Sequence, residues 1–327
     1  MLMVIAVHSL MALDRSWEGA ALWDAVCKPL FFTANFLFFA MSGVLNLRPV
    51  DDEGIGRFYL RKVRGIVLPA LVYMLIDTLW GLRGEPTSVL HAGRVYVTNV
   101  LGTFAQGHYW FVYSLFGFLL VTPFVARTFC NLRERPHELR AFAVLGLLFA
   151  GLSYLSANTG VAIGWALPWG VAFFVYCLGP SVLPREALAG RTRAFALVGA
   201  LVSWVACVGL GMAGWTAQLY DNCPFFVVLA ISLFVIVLDV AREWTPRAAV
   251  SFVAKHSFGV YLCHMLVMNS LAGLMPALDG GLSIARCALL WGATFVVSLA
   301  LAALVDTLVV GPLTKLYDRV LPTRKQA

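Results

Sequence analysis

Long apolar runs recur along the chain, separated by short stretches that hold most of the charge, and this alternation constrains the fold more than any other feature. A helix crossing a bilayer needs about 20 apolar residues, and it must satisfy its own backbone hydrogen bonds there. Ten such runs are read: 1–13, 29–47, 65–82, 109–126, 141–156, 162–183, 194–214, 224–240, 257–278 and 284–310. The first is too short to span and reads as a truncated helix, with an upstream piece expected. Only 13% of residues are charged and 61% are hydrophobic, whereas soluble domains carry roughly 25% charged residues. The expectation is an all-α, polytopic membrane bundle of about ten transmembrane helices, one domain over residues 1–327, in the cell membrane and in contact with the lipid bilayer.

The charge then orients the bundle. Lysine and arginine collect on the cytoplasmic side of membrane proteins. Nineteen of the 24 basic residues follow the second, fourth, sixth, eighth and tenth runs, including Arg185 after the sixth and Arg324 and Lys325 in the tail. This alternation predicts a cytoplasmic C-terminus and a cytoplasmic loop carrying Arg61 and Arg64. The loop at 83–107 then faces outward. The net charge of +7 is thereby topological and calls for no nucleic acid partner. The seven cysteines are scattered without a CxxC pair or metal-ligand spacing. No metal is expected. A disulfide among Cys27, Cys223 and Cys287 is possible. The apolar start leads to no small-residue cleavage site, so no cleavable signal peptide is read.

Few polar residues sit inside the runs, and such residues are costly enough to mark sites. His8 in the first run reads either as a core histidine bonded to a neighbouring helix or as a general base, since imidazole titrates near neutrality. Arg61 and Arg64 are three apart, which puts them on one face of a helix. That pair reads either as the basic flank of a membrane helix or as a clamp for phosphate or carboxylate. Pro69 should kink or start the third helix, leaving both arginines on a short interfacial turn. His108, in His-Tyr-Trp-Phe with Trp110, reads first as part of an interfacial aromatic belt. His264 reads as a lining or structural residue. Asp77 and Asp306 should each pair with a polar group of another helix. Ser42-Gly43 suggests close helix packing, with no base near Ser42 to make it a nucleophile. A base toward the outside and an anion clamp at the cytoplasmic mouth suit an enzyme with a phosphate-bearing donor. A transporter for an organic anion would read almost the same way, although no matching pair of Gly/Pro-broken helices supports one. A non-catalytic scaffold is the third reading.

Four stretches together resemble the acyltransferase-3 family, integral membrane enzymes that O-acylate cell-surface carbohydrates and related acceptors. They are Val-Ile-Ala-Val-His (4–8), Phe-Phe-Ala-Met-Ser-Gly-Val-Leu (38–45), Arg-Lys-Val-Arg-Gly-Ile-Val-Leu-Pro (61–69) and His-Ser-Phe-Gly-Val-Tyr-Leu-Cys-His (256–264). His108–Phe111 and Phe173-Phe174 with Gly179 are weaker echoes. The resemblance implies an O-acyltransferase, most simply O-acetyl, with His8 as catalytic base and Arg61 and Arg64 holding the phosphates of acyl-coenzyme A. Acetyl-CoA is then the expected donor, and a carbohydrate or lipid-linked glycan the expected acceptor. Ser42, His108, Trp110, Tyr261 and His264 are possible lining residues of that site. Family members usually carry an Arg and an Asp about one helix length before the histidine. Here the chain starts seven residues before His8, which strengthens the expectation of an upstream piece.

Overall fold

The computed structural model describes residues 1–49, 54–84, 86–102, 107–163, 170–184 and 186–321. All regular structure among them is helical. Eight helices are long and apolar enough to cross a membrane, and two shorter apolar ones, Leu2–Ala12 and Gly170–Val182, accompany them. These ten correspond one to one with the ten apolar runs. The predicted polytopic helical bundle is therefore the observed class. Arg185, Arg324 and Lys325, and residues 164–169 of the sixth run, lie outside the described residues.

Several boundaries differ from the expectation, each for a local reason. After α1 (Leu2–Ser9) and a 3-10 turn, α2 (Ala20–Asn46) starts nine residues earlier than expected. Its first turns carry charge, but Asp24 accepts from Arg15 and, at 2.7 Å, from Lys28 one helical turn on. Pairing lets those groups enter the helix. The third run begins not at Gly65 but with α3 (Ile55–Lys62), which passes through a π turn at Val63–Val67 into α4 (Leu68–Gly81). Arg61 and Arg64 therefore lie within one 27-residue helical span, not on a turn before it. Pro69 sits in the first turn of α4, where its missing N–H costs least after the widened turn.

The outward loop expected at 83–107 contains a helix, α5 (Val89–Leu101), whose N-cap Ser88 accepts the His91 N–H at 3.2 Å. Next come α6 (Trp110–Phe129), α7 (Pro136–Thr159), α8 (Gly170–Val182), α9 (Gly190–Met212) and α10 (Pro224–Ala241). The ninth run is α11 (Ala248–Ala272), which reaches nine residues further toward its N-terminus and stops before the expected end. The tenth, α12 (Ser283–Val305), continues through a second π turn at Asp306–Val310 into α13 (Gly311–Val320). Both π turns are followed by a helix with proline in its first turn.

The chain forms two compact units. One comprises residues 1–13, 50–120 and 246–327, the other residues 14–49 and 121–245. The core of the first unit joins Ile5 of α1 to Val260, Met265 and Met268 of α11 and Leu290 and Ala302 of α12. Its tightest point is Gly259, where an added Cβ would lie 2.4 Å from the Tyr73 hydroxyl and 3.0 Å from the Ala302 Cβ. Only hydrogen lets α4, α11 and α12 approach so closely. Asp306 accepts from that hydroxyl at 3.0 Å and pairs with His256 Nδ1 at 2.7 Å, so its expected partnership with other helices is met.

The second unit is built around α2 and α8. A Cβ on Gly43 would lie 1.9 Å from the Tyr176 carbonyl oxygen, and one on Gly179 would lie 2.2 Å from that of Ala40. The close packing read from Ser42-Gly43 is thus a reciprocal glycine crossing. Asp239 of α10 is held by Arg193 of α9 at 2.6 Å and by the Leu188 N–H at 2.9 Å. All seven cysteines are free thiols, so the bridge considered among Cys27, Cys223 and Cys287 is not formed.

Candidate active site

Three histidines from distant parts of the chain meet in the first unit. His8 projects from α1, His264 from the middle of α11, and His108 from a 3-10 turn at Gly107–Tyr109 that leads into α6. The His264 ring centre lies 5.2 Å from that of His8 and 4.8 Å from that of His108. Tyr261, one turn before His264, lies 5.7 Å from the rings of both His108 and His264. His264 and His108 are buried, and His8 is half-buried.

Backbone carbonyls fix the orientation of the two buried rings. His264 Nδ1 is 2.6 Å from the Tyr261 carbonyl oxygen. A carbonyl only accepts, so Nδ1 carries the hydrogen and Nε2 of the neutral ring carries the lone pair. His108 Nε2 is 3.3 Å from the Leu262 carbonyl oxygen, so by the same reasoning its lone pair is on Nδ1. Both lone-pair nitrogens are buried without a hydrogen-bond partner among the described residues. The Tyr109 phenol adds a 3.1 Å bond to the Leu262 carbonyl, and the Tyr261 phenol donates to the His108 carbonyl. The turn bearing His108 is thus tied to α11 from both sides. Asp77, buried in α4, lies within reach of the Tyr109 phenol.

His108 corrects the interfacial reading of His-Tyr-Trp-Phe. His108 and Tyr109 are turned inward, and Trp110 stays 37% exposed. The two inward-turned residues belong to the cluster. The 3-10 turn redirects the chain over three residues, which side-chain type alone does not reveal.

The arginines occupy a different setting. Arg61 is exposed near the end of α3, and Arg64 is half-buried in the π turn. That turn interrupts the ordinary α-helical register on which their shared face was predicated. Arg64 Nε lies 2.7 Å from Asp318 Oδ1 of α13, an ion pair. Tyr317, beside Asp318, donates to the Leu60 carbonyl at 3.1 Å. The tail helix thus docks on the arginine segment, a contact the sequence reading missed. The amphipathic pattern of residues 311–320 is the sequence signal that points to it. Ser42 lies in the second unit, where its carbonyl accepts from Asn46 at 2.7 Å. Among the described residues, no group of three or more His, Cys, Asp or Glu side chains is arranged to hold a metal.

Residues 1–306 match the sequence profile of an acyltransferase domain. The chain belongs to the acyltransferase-3 family. No curated protein and no solved structure matches it. The acyltransferase is a multi-pass membrane enzyme, and with that the transporter and scaffold readings fall away. The match runs from the start of α1 to Asp306 and so includes all three histidines and both arginines.

Proposed function

We propose that this acyltransferase moves an acyl group, acetyl in the simplest case, from cytoplasmic acyl-coenzyme A to a hydroxyl of an envelope carbohydrate or lipid-linked glycan. The enzyme would sit in the cell membrane with its C-terminus in the cytoplasm. The observation that carries this reading is the half-buried His8 imidazole beside the buried, oriented His264 imidazole, which itself packs against that of His108, in a chain of this family. In the proposed reaction, the acceptor oxygen attacks the thioester carbonyl carbon as His8 removes its proton. The C–S bond then breaks, and the leaving thiolate takes the proton back from His8. The products are the ester and free coenzyme A, and His8 returns to its starting state.

Arg61 and Arg64 supply the donor site in this reading. Guanidinium groups recognise phosphate oxygens through paired, charge-assisted hydrogen bonds. Arg61 is exposed and makes no ion pair among the described residues, whereas Arg64 holds the Asp318 carboxylate. A carboxylate on Arg64 marks the kind of group it binds, and a coenzyme A phosphate would take that place.

The test is mass spectrometry of envelope glycans from cells with and without the gene, followed by transfer assays in proteoliposomes. Loss of an acetyl mass in the deletion, restored by the wild-type chain but not by His8→Ala, is the expected result. General-base catalysis contributes about 10²–10⁴-fold, so His8→Ala should lose at least the lower figure in kcat. Full turnover by a correctly folded His8→Ala protein would rule His8 out as the base.

A further inference from the structure

A general base works only if its lone pair faces the acceptor, and a neutral imidazole has two nitrogens to choose between. Its tautomer is set by whatever receives the other nitrogen's hydrogen. His8 makes no hydrogen bond among the described residues. Among the described residues beside it, His264 suits the task best. His264 is fully buried, its Nδ1–H is committed to the Tyr261 carbonyl, and its Nε2 lone pair has no donor. Leaving a buried acceptor empty is costly, so this nitrogen calls for a donor from its surroundings.

The distance fits. Two imidazoles joined by an N–H···N bond of about 2.9 Å have ring centres about 5 Å apart. The His8 and His264 ring centres are 5.2 Å apart, with the planes tilted by 45°. The bond is not made in this geometry. The half-buried His8 ring is held by no hydrogen bond among the described residues, whereas His264 is held by its carbonyl and by full burial.

We infer that His264 is the positioning residue for His8. Resting on the reading of His8 as base, its Nε2 receives the His8 N–H, so that the opposite nitrogen of His8 presents its lone pair to the acceptor hydroxyl. The order of bonds is Tyr261 carbonyl, His264, His8, acceptor. No proton crosses the His8–His264 bond; it only holds the tautomer. His108 is a weaker candidate for this role. Its lone pair is also buried and empty, but its ring centre faces His264, and no ring contact between His108 and His8 is found among the described residues.

Substitutions at 264 separate this role from simple packing. Glutamine carries an acceptor oxygen near the place of Nε2, whereas asparagine reaches only the place of Nδ1. Turnover is read as thiol released from acetyl-coenzyme A in proteoliposomes, with a mixed envelope-glycan fraction as acceptor. His264→Gln should stay within about tenfold of wild type. His264→Asn and His264→Ala should lose about 10²-fold in kcat, the lower range for general-base catalysis, with the KM for acetyl-coenzyme A unchanged. Equal activity in the Gln and Asn variants, high or low, would overturn the assignment. A second measurement needs no functional variant. Nitrogen-15 spectra of histidine-labelled wild-type protein should show His264 with hydrogen on Nδ1, its signals identified by their absence in His264→Gln. Hydrogen on Nε2 would equally overturn it. Loss of activity in His8→Ala alongside a fully active His264→Ala would leave the base intact and refute only the positioning role.

Discussion

The histidine cluster and the arginine segment belong to the same unit but are built on opposite principles. The cluster is enclosed, and its rings are aimed by backbone carbonyls at Tyr261 and Leu262. The arginine segment is open: the Arg64 and Asp318 side chains of its ion pair are 43% and 36% exposed. Enclosed neutral hydrogen bonds fix direction and resist exchange, because breaking one strands a buried polar group. An exposed ion pair is screened by water and salt and contributes about 0–1 kcal/mol, so another anion can displace it. Proton transfer needs fixed direction, whereas reversible binding of a charged donor needs an exchangeable partner. The contrast matches the two halves of the proposed reaction.

The largest effect should come from attacking the enclosed side. Tyr73 is 2% exposed, its hydroxyl donates to Asp306, and a Cβ added at Gly259 would lie 2.4 Å from that hydroxyl. Gly259→Val must expel that hydroxyl or part α11 from α4. Overpacking of this kind costs about 1–3 kcal/mol or more, and here it also breaks a buried hydrogen bond. The detergent melting temperature should drop by several degrees, and transfer should fall with it. Gly65, in the π turn beside Arg64, has nothing within 4 Å of an added Cβ. Gly65→Ala should therefore leave melting and turnover near wild type. A Gly65→Ala protein as damaged as Gly259→Val would erase the distinction between the two regions.

How far each region was legible follows from the same contrast. The apolar runs reveal the bundle, because hydrocarbon leaves a spanning backbone almost no choice but helix. The glycines of the α2–α8 crossing were readable at Gly43, where a small residue beside Ser42 signalled close approach. Boundaries were less readable wherever charge entered a helix. Asp24 and Lys28 hide the start of α2, and Arg94 within α5 makes a helix look like a loop. His8 and His264 could be picked out as rare polar residues in apolar runs. Their meeting with His108 could not, because it depends on a three-residue turn and on packing among segments far apart in sequence. The Asp318 contact is hidden for a similar reason: Lys315, Arg319, Arg324 and Lys325 give the stretch around it the look of a basic tail.

Arginine substitutions probe the open side and should have a smaller effect. Arg64→Ala and Arg61→Ala are each expected to raise the KM for acetyl-coenzyme A by about tenfold, the equivalent of roughly 1.4 kcal/mol, while kcat changes little. Arg64→Lys should recover only part of the loss, since an ammonium group cannot make the paired, planar contact of a guanidinium. Raising the salt concentration should weaken donor binding in the wild type and less so in the double alanine variant, because phosphate contacts of this kind are screened. A fall in kcat with unchanged KM would move the arginines out of the donor site and into the chemistry.

The smallest effect is expected at Asp318, and its sign is the informative part. If its carboxylate occupies Arg64 until the donor arrives, then Asp318→Asn removes a competitor, and the KM for acetyl-coenzyme A should fall by about two- to fivefold. That is the size allowed by an exposed pair worth at most about 1 kcal/mol. The Tyr317 bond to the Leu60 carbonyl stays in place in this variant, so α13 remains docked and the change reports on charge alone. Asp318→Glu should keep the wild-type KM if its longer side chain still reaches Arg64. A KM that rises in Asp318→Asn would mean that the carboxylate positions the guanidinium instead of competing for it. The open side would then share the built-in orientation of the histidine cluster, and the contrast between exchangeable and fixed contacts would fail at the residue where it is easiest to measure.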